Sequence, residues 1–387
     1  MQQPKLTSKL PEVGTTIFSV MSALATEHNA INLSQGFPDF PVDQRLRDRV
    51  AYHIANGANQ YAPMPGLPRL RNAISKWVND LYDHAYDPAS EITVTSGATE
   101  AIFNSVMALV QPGDEVVVLE PAYDAYLPAI RMCGGIPRSV PLVYPDYHIP
   151  WDKVRAMVNE RTRVLMLNFP HNPTGAILQE EDIRQLKELV QQYPIYLISD
   201  EVWEHRVFDG HQHLSISRFP ELAARSFVIS SFGKALHATG WKVGYCLAPA
   251  ALTREFRKVH QFVTFSTATP LQHAITDYLT AYPEEIRGLP VFYQEKRDRF
   301  LELMAGSAFN PLPARSTYFQ LFSYADRSDR PDTEIARELT IRYKVASIPI
   351  SVFYQTPTDD KVLRFCFAKE VPTLAAAAEK LKQVEIS

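Results

Sequence analysis

The sequence predicts an α/β fold: a large domain built on a mostly parallel sheet sandwiched by helices, with a smaller α+β domain beside it. Three observations point there. Six short runs between residues 90 and 250 are apolar on both faces, as strands buried in a parallel sheet must be. Helical patterns alternate with these runs. Beyond residue 250 the rhythm changes to long helices and then to a short segment of mixed helices and strands.

The first 45 residues hold an arm, a helix and the proline-rich turn Phe37-Pro38-Asp39-Phe40-Pro41. Lys5, Lys9 and residues 17–24 loosely imitate a signal peptide. Glu12 precedes the apolar part, however, and Ile17, Val20, Met21 and Leu24 follow helical spacing, so an amphipathic helix is expected. Strands are expected at 92–95, 115–119, 164–168, 195–199, 226–230 and 243–247, with helices at 99–110, 122–132 and 180–191 between them. Helices at 251–262 and 269–281 follow, then strands at 318–323 and 362–367 and helices at 332–343 and 374–384. The expected division is an N-terminal arm and segment completing the small domain (1–45), a large domain (46–285) and a small C-terminal domain (286–387). At roughly 150 residues per domain, 387 residues suit two or three.

Composition removes several classes of function. Hydrophobic residues at 46% and charged residues at 21% are ordinary for a globular chain. A net charge of −4 offers no electrostatic footprint for nucleic acid or an anionic membrane. The longest apolar runs are strand-length and cannot span a bilayer. Cys133, Cys246 and Cys366 are scattered without a CxxC pair, so neither a disulfide framework nor a thiolate zinc site is indicated, and a reducing cytoplasm is the expected compartment. His211-Gln212-His213 beside Asp209 reads as a solvated turn rather than a metal site. A nucleotide-binding Rossmann reading fails because the first strand–helix turn lacks GxGxxG and no GxxxxGK[ST] occurs.

Ligands of open α/β sheets bind at the carboxyl ends of the strands. Five of the expected strands end in chemistry-bearing residues: Ser96-Gly97-Ala98-Thr99, then Glu120-Pro121-Ala122-Tyr123, then Asn168 through Asn172-Pro173-Thr174-Gly175, then Ser199-Asp200-Glu201-Val202-Trp203, then Ser230-Ser231-Phe232-Gly233-Lys234. Each alone has a plain structural reading. Ser-Gly-Ala-Thr is an ordinary helix start, Asn-Pro-Thr-Gly an ordinary turn, Asp200 a helix cap and Lys234 a solvated lysine. Together they bring an anion cradle, an aromatic ring, an amide, a carboxylate and an amine to one sheet edge. That set suits a flat, phosphorylated, electrophilic cofactor such as pyridoxal 5′-phosphate. It needs a lysine for a Schiff base, a carboxylate to keep its ring nitrogen protonated, and a phosphate site.

Ser-Phe-Gly-Lys-x₅-Gly-Trp-Lys-Val-Gly at 231–244, Asn-Pro-Thr-Gly at 172–175 and Ser-Asp-Glu-Val at 199–202 resemble the fold-type I, class I aminotransferases. Ser34-Gln35-Gly36-Phe37-Pro38-Asp39-Phe40, Asn59-Gln60-Tyr61-Ala62-Pro63 and Arg364-Phe365-Cys366-Phe367-Ala368-Lys369 are similar to the branch holding kynurenine/glutamine and bacterial methionine aminotransferases. The resemblance implies a seven-stranded, mostly parallel sheet in a pyridoxal phosphate-binding domain. It also implies ping-pong transfer of an α-amino group from an L-amino acid to a 2-oxo acid. Lys234 would be the Schiff-base lysine and proton shuttle, Asp200 the partner of the ring nitrogen, and Asn172 a donor to the ring's phenolic oxygen and the substrate carboxylate. Tyr123 would stack on the ring. Ala98, Thr99, Ser231 and Lys242 would hold the phosphate, joined by Tyr61 from the neighbouring subunit of a homodimer with shared active sites. Arg364 would clamp the substrate α-carboxylate with help from the Gly36 backbone. Without the resemblance, Arg364 reads as an edge-strand arginine pointing to solvent.

Two departures stand out. Trp203 occupies a position where many relatives have a tyrosine that donates to the cofactor's phenolate, and indole is a differently placed donor. Lys242 stands where many class I enzymes have arginine, as it does in the methionine and kynurenine branch. For the side-chain pocket, no arginine occurs in the 260–266 stretch that supplies one in dicarboxylate-specific relatives. Phe265, with Phe18 and Tyr123, would line an apolar wall that favours methionine, aromatic or other large neutral side chains. The competing readings are a pyridoxal phosphate-dependent β-lyase acting on cysteine conjugates and a non-catalytic protein that merely binds the cofactor.

Overall fold

The computed structural model describes residues 5–356 and 358–386. Residues 1–4 of the expected arm, and Pro357 and Ser387 of the expected C-terminal domain, lie outside the described residues. The strands, in chain order, are β1 (Ile31–Asn32), β2 (Ile92–Thr95), β3 (Glu115–Glu120), β4 (Ile136–Pro141), β5 (Thr162–Asn168), β6 (Tyr196–Asp200), β7 (Ser226–Ser231), β8 (Gly244–Leu247), β9 (Asn310–Pro311), β10 (Phe319–Ser323), β11 (Val345–Ala346), β12 (Ile348–Pro349) and β13 (Val362–Cys366).

Seven of them form one sheet in the order β2-β8-β7-β6-β5-β3-β4. The pairs β7–β6, β6–β5, β5–β3 and β3–β4 are parallel, and β8 runs antiparallel to both β7 and β2. The strand signal of the sequence is physical. β3, Glu-Val-Val-Val-Leu-Glu, is buried at every position because helices cover both faces. Val116 and Val118 enter the apolar cluster on one face with Val164, Met166, Ile198 and Phe227. Val117 and Leu119 enter the cluster on the other with Leu165, Leu167, Leu197 and Val228. Six of these seven strands lie where the periodicity predicts. The seventh, β4, is an edge strand that carries Pro137 and Pro141 and shows mixed burial, so it has neither the two-sided apolar run nor the clean alternation of a strand.

A second sheet, β12-β13-β10-β9, is antiparallel throughout, and β1 pairs in parallel with β11. The pairing Ile31↔Val345 therefore ties the N-terminal segment to the C-terminal one. Helix α1 (Ile17–Glu27) buries Met21, Leu24 and Ala25; of the face its spacing predicts, Met21 and Leu24 are buried, Ile17 is half-buried and Val20 is exposed. The sequence reading does not anticipate α2 (Gln44–Ala55), whose only buried residue is Leu46, nor the helix Leu289–Met304, whose buried face includes Arg297. No helix among the described residues is long and apolar enough to cross a membrane.

Candidate active site

The carboxyl ends of β5, β6 and β7 open into a cavity of ≈ 230 Å³. Its lining contains Gly36, Ala98, Thr99, Tyr123, Asn172, Asp200, Trp203, Ser231, Lys234, Lys242, Arg364 and Phe18, twelve of the residues expected from sequence. Tyr61 and Phe265 are not among them. Their rings meet edge-to-face at 5.4 Å on the outside of the molecule, where Tyr61 is 84% and Phe265 45% exposed. Within one chain, then, Phe265 does not line the apolar wall beside Phe18 and Tyr123. Its backbone, at φ 67°, lies beyond the C-terminus of the helix Ala250–Val263.

Asp200 closes β6 and is buried. Its Oδ2 accepts from the Tyr126 hydroxyl at 2.6 Å and its Oδ1 from the Val202 N–H at 3.2 Å. Burial pushes its pKa up to about 6, against the pull of those donors and of Lys234. This carboxylate is short of positive charge, which a protonated ring nitrogen would supply. Tyr126 escapes the sequence reading. The one signal for it is a second tyrosine three residues after Tyr123, one helical turn on.

The loop after β5 is pinned to β6. Asn168 Nδ2 donates to the Asp200 carbonyl at 3.1 Å, and its Oδ1 accepts the Asn172 N–H at 3.1 Å. Asn172 Oδ1 in turn accepts from Arg364 Nη1 at 3.0 Å. Arg364 sits on β13, an inner strand between β12 and β10, and is buried, so the solvent-facing reading is corrected. A two-stranded reading of the C-terminal segment leaves out β12, which covers that edge. Arg364 stacks with its Cζ 3.9 Å from the Phe319 ring centroid and donates through Nη2 to the Ser34 carbonyl at 2.8 Å. Its Nε is buried without a hydrogen-bond partner among the described residues. A guanidinium has five N–H donors, so several remain for a carboxylate. Burial lowers its pKa to about 10, far above neutrality, so it stays cationic.

Lys234 lies on the short helix Phe232–Ala235 that follows β7. Its Nζ donates to the Gly36 carbonyl at 3.2 Å and the Tyr318 hydroxyl at 3.1 Å, and the Tyr318 hydroxyl also donates to Gly36. Burial is the main cause lowering its pKa to about 7, with Arg206, Arg364 and Lys242 adding to it. An amine that sheds its proton near neutrality can act as nucleophile and as base. The Trp203 ring centroid lies 4.9 Å from Nζ, and the indole packs edge-on against Tyr318 at 4.4 Å.

The anion end is built by close backbone approach. The helix Ala98–Leu109 starts after Gly97, which lies at φ 85° and provides no side-chain cap, leaving its first N–H groups to another acceptor. A Cβ on Gly97 would stand 3.3 Å from Lys242 Nζ. One on Gly244 would stand 2.7 Å from the Ser230 carbonyl and 3.0 Å from the Ala98 nitrogen. These two glycines let β7, β8, Lys242 and the helix start converge. An uncapped helix N-terminus, a cation and the Ser231 hydroxyl fit a phosphate. With Asp200, Lys234 and the unpartnered Arg364 Nε, the donor set fits pyridoxal phosphate and an amino acid carboxylate.

The class I and II aminotransferase family model matches residues 28–381. The chain is 48% identical to methionine aminotransferase of Escherichia coli K12 over 97% of its length and 98% of that protein's. It is 36% identical to a probable N-succinyldiaminopimelate aminotransferase of Mycobacterium tuberculosis, with 97% of each covered. It is 31% identical to human kynurenine–oxoglutarate transaminase 3, covering 97% of this chain and 89% of that one. An E. coli crystal structure identified with methionine aminotransferase function superposes with a TM-score of 0.96 over 99% of this chain and all of that one.

Proposed function

The chain belongs to the class I and II aminotransferases, enzymes that use pyridoxal phosphate, and we propose that its donors are L-methionine and other L-amino acids with large neutral side chains. One observation carries the reading. A half-buried amine poised near neutrality (Lys234), a charge-starved carboxylate (Asp200) and an arginine with an open Nε (Arg364) share one cavity, and Phe18 and Phe319 supply its apolar surface. The 48% identity to an E. coli methionine aminotransferase supports the same donor class.

Bound pyridoxal phosphate supplies an aldehyde that takes up the amino group and a cationic ring that draws electrons from the carbon losing its proton. We assign the rest to side chains. The Gly97–Thr99 amides, Ser231 and Lys242 hold the phosphate. Tyr123 stacks on the ring, Trp203 closes the cavity beside Lys234, and Asp200 keeps the ring nitrogen's proton. Asn172 orients the phenolic oxygen, and Arg364 with Asn172 and Gly36 fixes the substrate α-carboxylate. Lys234 Nζ takes the donor's α-proton and returns a proton in the reverse half-reaction, in which a second 2-oxo acid is aminated.

We further propose a homodimer in which Tyr61 and Phe265 complete the partner's site. Their exposure, beside Phe262 at 86%, supports an apolar face awaiting a second copy. The division at residues 45 and 285 is our reading of the domains, with the β1–β11 pairing in its favour. A cytoplasmic location accords with three free cysteines.

The test is a donor panel with the loaded enzyme and a 2-oxo acid acceptor. Methionine and phenylalanine should yield their oxo acids, and aspartate should be a poor donor. Aspartate at least as good as methionine would overturn the donor assignment. Pyruvate and ammonia released from a cysteine conjugate as the main reaction would replace transamination with elimination.

A further inference from the structure

Three residues beyond Trp203, between His205 and Val207, stands Arg206. It is fully buried. Its Nη2 donates to the backbone carbonyl of Lys234, while Nε and Nη1 have no hydrogen-bond partner among the described residues. It forms no ion pair with a carboxylate among those residues, unlike the buried Arg297, which is bound by Asp209 and Asp298. What surrounds the Arg206 guanidinium instead is aromatic. Its Cζ lies 4.6 Å from the ring centroid of Tyr293, 5.4 Å from Tyr318 and 5.5 Å from Trp203. An unpaired guanidinium in a dry site is costly, and three ring faces offset only part of that cost.

The charged and titratable groups around the Lys234 amine come from several elements. Asp200 approaches from β6, Arg364 and Cys366 from β13, Tyr318 from the start of β10, Lys242 from the turn before β8, and Arg206 from the loop after β6. Three are cations, and on the cofactor reading above they differ in one respect. Lys242 stands at the anion cradle, and Arg364 has open donors for a substrate carboxylate. Both would be neutralised as ligands arrive. Arg206, walled in by rings, has no access to either anion.

We propose that Arg206 is a positioning residue for Lys234, holding its backbone carbonyl and keeping an uncompensated positive charge beside its nitrogen while the other two cations are neutralised by ligands. The lysine nitrogen is thereby biased toward its unprotonated state through the whole exchange. This rests on pyridoxal phosphate occupying the cavity. The segment after Asp200 then serves twice: Asp200 favours a proton on the ring, and Arg206 disfavours one on the lysine.

The test is a pH titration of the visible absorption of the pyridoxal phosphate-loaded enzyme, for wild type, Arg206→Gln and Arg206→Leu. Glutamine can still donate to the Lys234 carbonyl but carries no charge. Both variants should titrate with a midpoint about one pH unit higher than wild type, the scale of one neighbouring buried charge. The acid limb of the kcat profile should move the same way. Wild-type midpoints in variants with native circular dichroism and bound cofactor would overturn the proposal. So would a shift in the leucine variant alone, which would assign the effect to the hydrogen bond. The titration needs no amino acid, so an enzyme that takes up the cofactor yet rejects methionine still tests Arg206. A protein that develops no visible band overturns the cofactor site and this proposal together.

Discussion

Asp200 and Glu204 are two buried carboxylates four residues apart, and they are held in opposite ways. Glu204 accepts from the hydroxyls of Tyr82, Ser230 and Tyr245, with His205 at 3.6 Å. His205 and those donors outweigh burial and lower its pKa. Asp200 has one phenol and one backbone N–H, and its pKa rises to about 6. The arginines divide likewise. Arg297 spends its nitrogens on Asp209, Asp298 and the Ala314 carbonyl, while Arg364 leaves Nε open. Burial alone therefore does not mark a site. Unspent hydrogen-bonding capacity inside the cavity does, because a buried polar group left short of partners is tolerated mainly where a ligand completes it.

The comparison breaks most visibly at Asp200. Asp200→Asn should cut kcat about 10²–10³-fold, the effect of losing one group aimed at developing charge, without lowering the melting temperature of the cofactor-free protein. The pH signs should also differ. Asp200 has a folded pKa above the ordinary carboxylate value of 3.8, so it costs the cofactor-free protein stability as pH rises from there through about 6. Asp200→Asn should remove that slope in urea denaturation. Glu204, with a depressed folded pKa, contributes stability that is present above about pH 4.5 and lost as pH falls below it. If Asp200→Asn keeps turnover within a few-fold, the contrast has no functional content.

Arg364→Lys comes next. Lysine keeps the charge and loses the planar fork stacked on Phe319, so kcat/KM should fall about 10–100-fold, mostly through KM. An unchanged KM would place the carboxylate elsewhere. Glu204→Gln should show the reverse pattern, with kcat close to wild type and stability lower by about 1–3 kcal/mol as three hydroxyl donors lose their anion. Loss of turnover at native stability would move Glu204 into the active machinery. The smallest effect is expected at Trp203. Trp203→Tyr restores a phenol donor beside the cavity and should lower the visible titration midpoint by less than about one pH unit. No change in midpoint or turnover would make the indole a packing residue.

Much of this was legible in the chain because its signals are local. Val116–Val118 and Leu165–Leu167 are apolar on both faces, and strands of that kind lie inside a sheet covered on both sides. The strand-end residues Asp200, Asn172 and Lys234 follow those strands at short range, so placing the strands places them. Tyr126 and Tyr318 were not legible, since nothing in an isolated tyrosine says that a carboxylate or an amine lies within hydrogen-bond reach. Strand β4 was hidden by its edge position and its prolines, and α2 by a face with one buried residue.

By itself the sequence determined the parallel sheet, the carboxyl edge that carries the chemistry and the family to which the chain belongs, since periodicity and contiguous motifs survive without coordinates. Tertiary structure alone decided which buried charges are spent and which are open. It brought Arg364 from an apparent edge strand into the interior and set Arg206 behind Lys234. Those outcomes depend on partners distant in the chain, from Ser34 to Tyr318, and a group's pairing is a property of the space around it rather than of its neighbours in sequence.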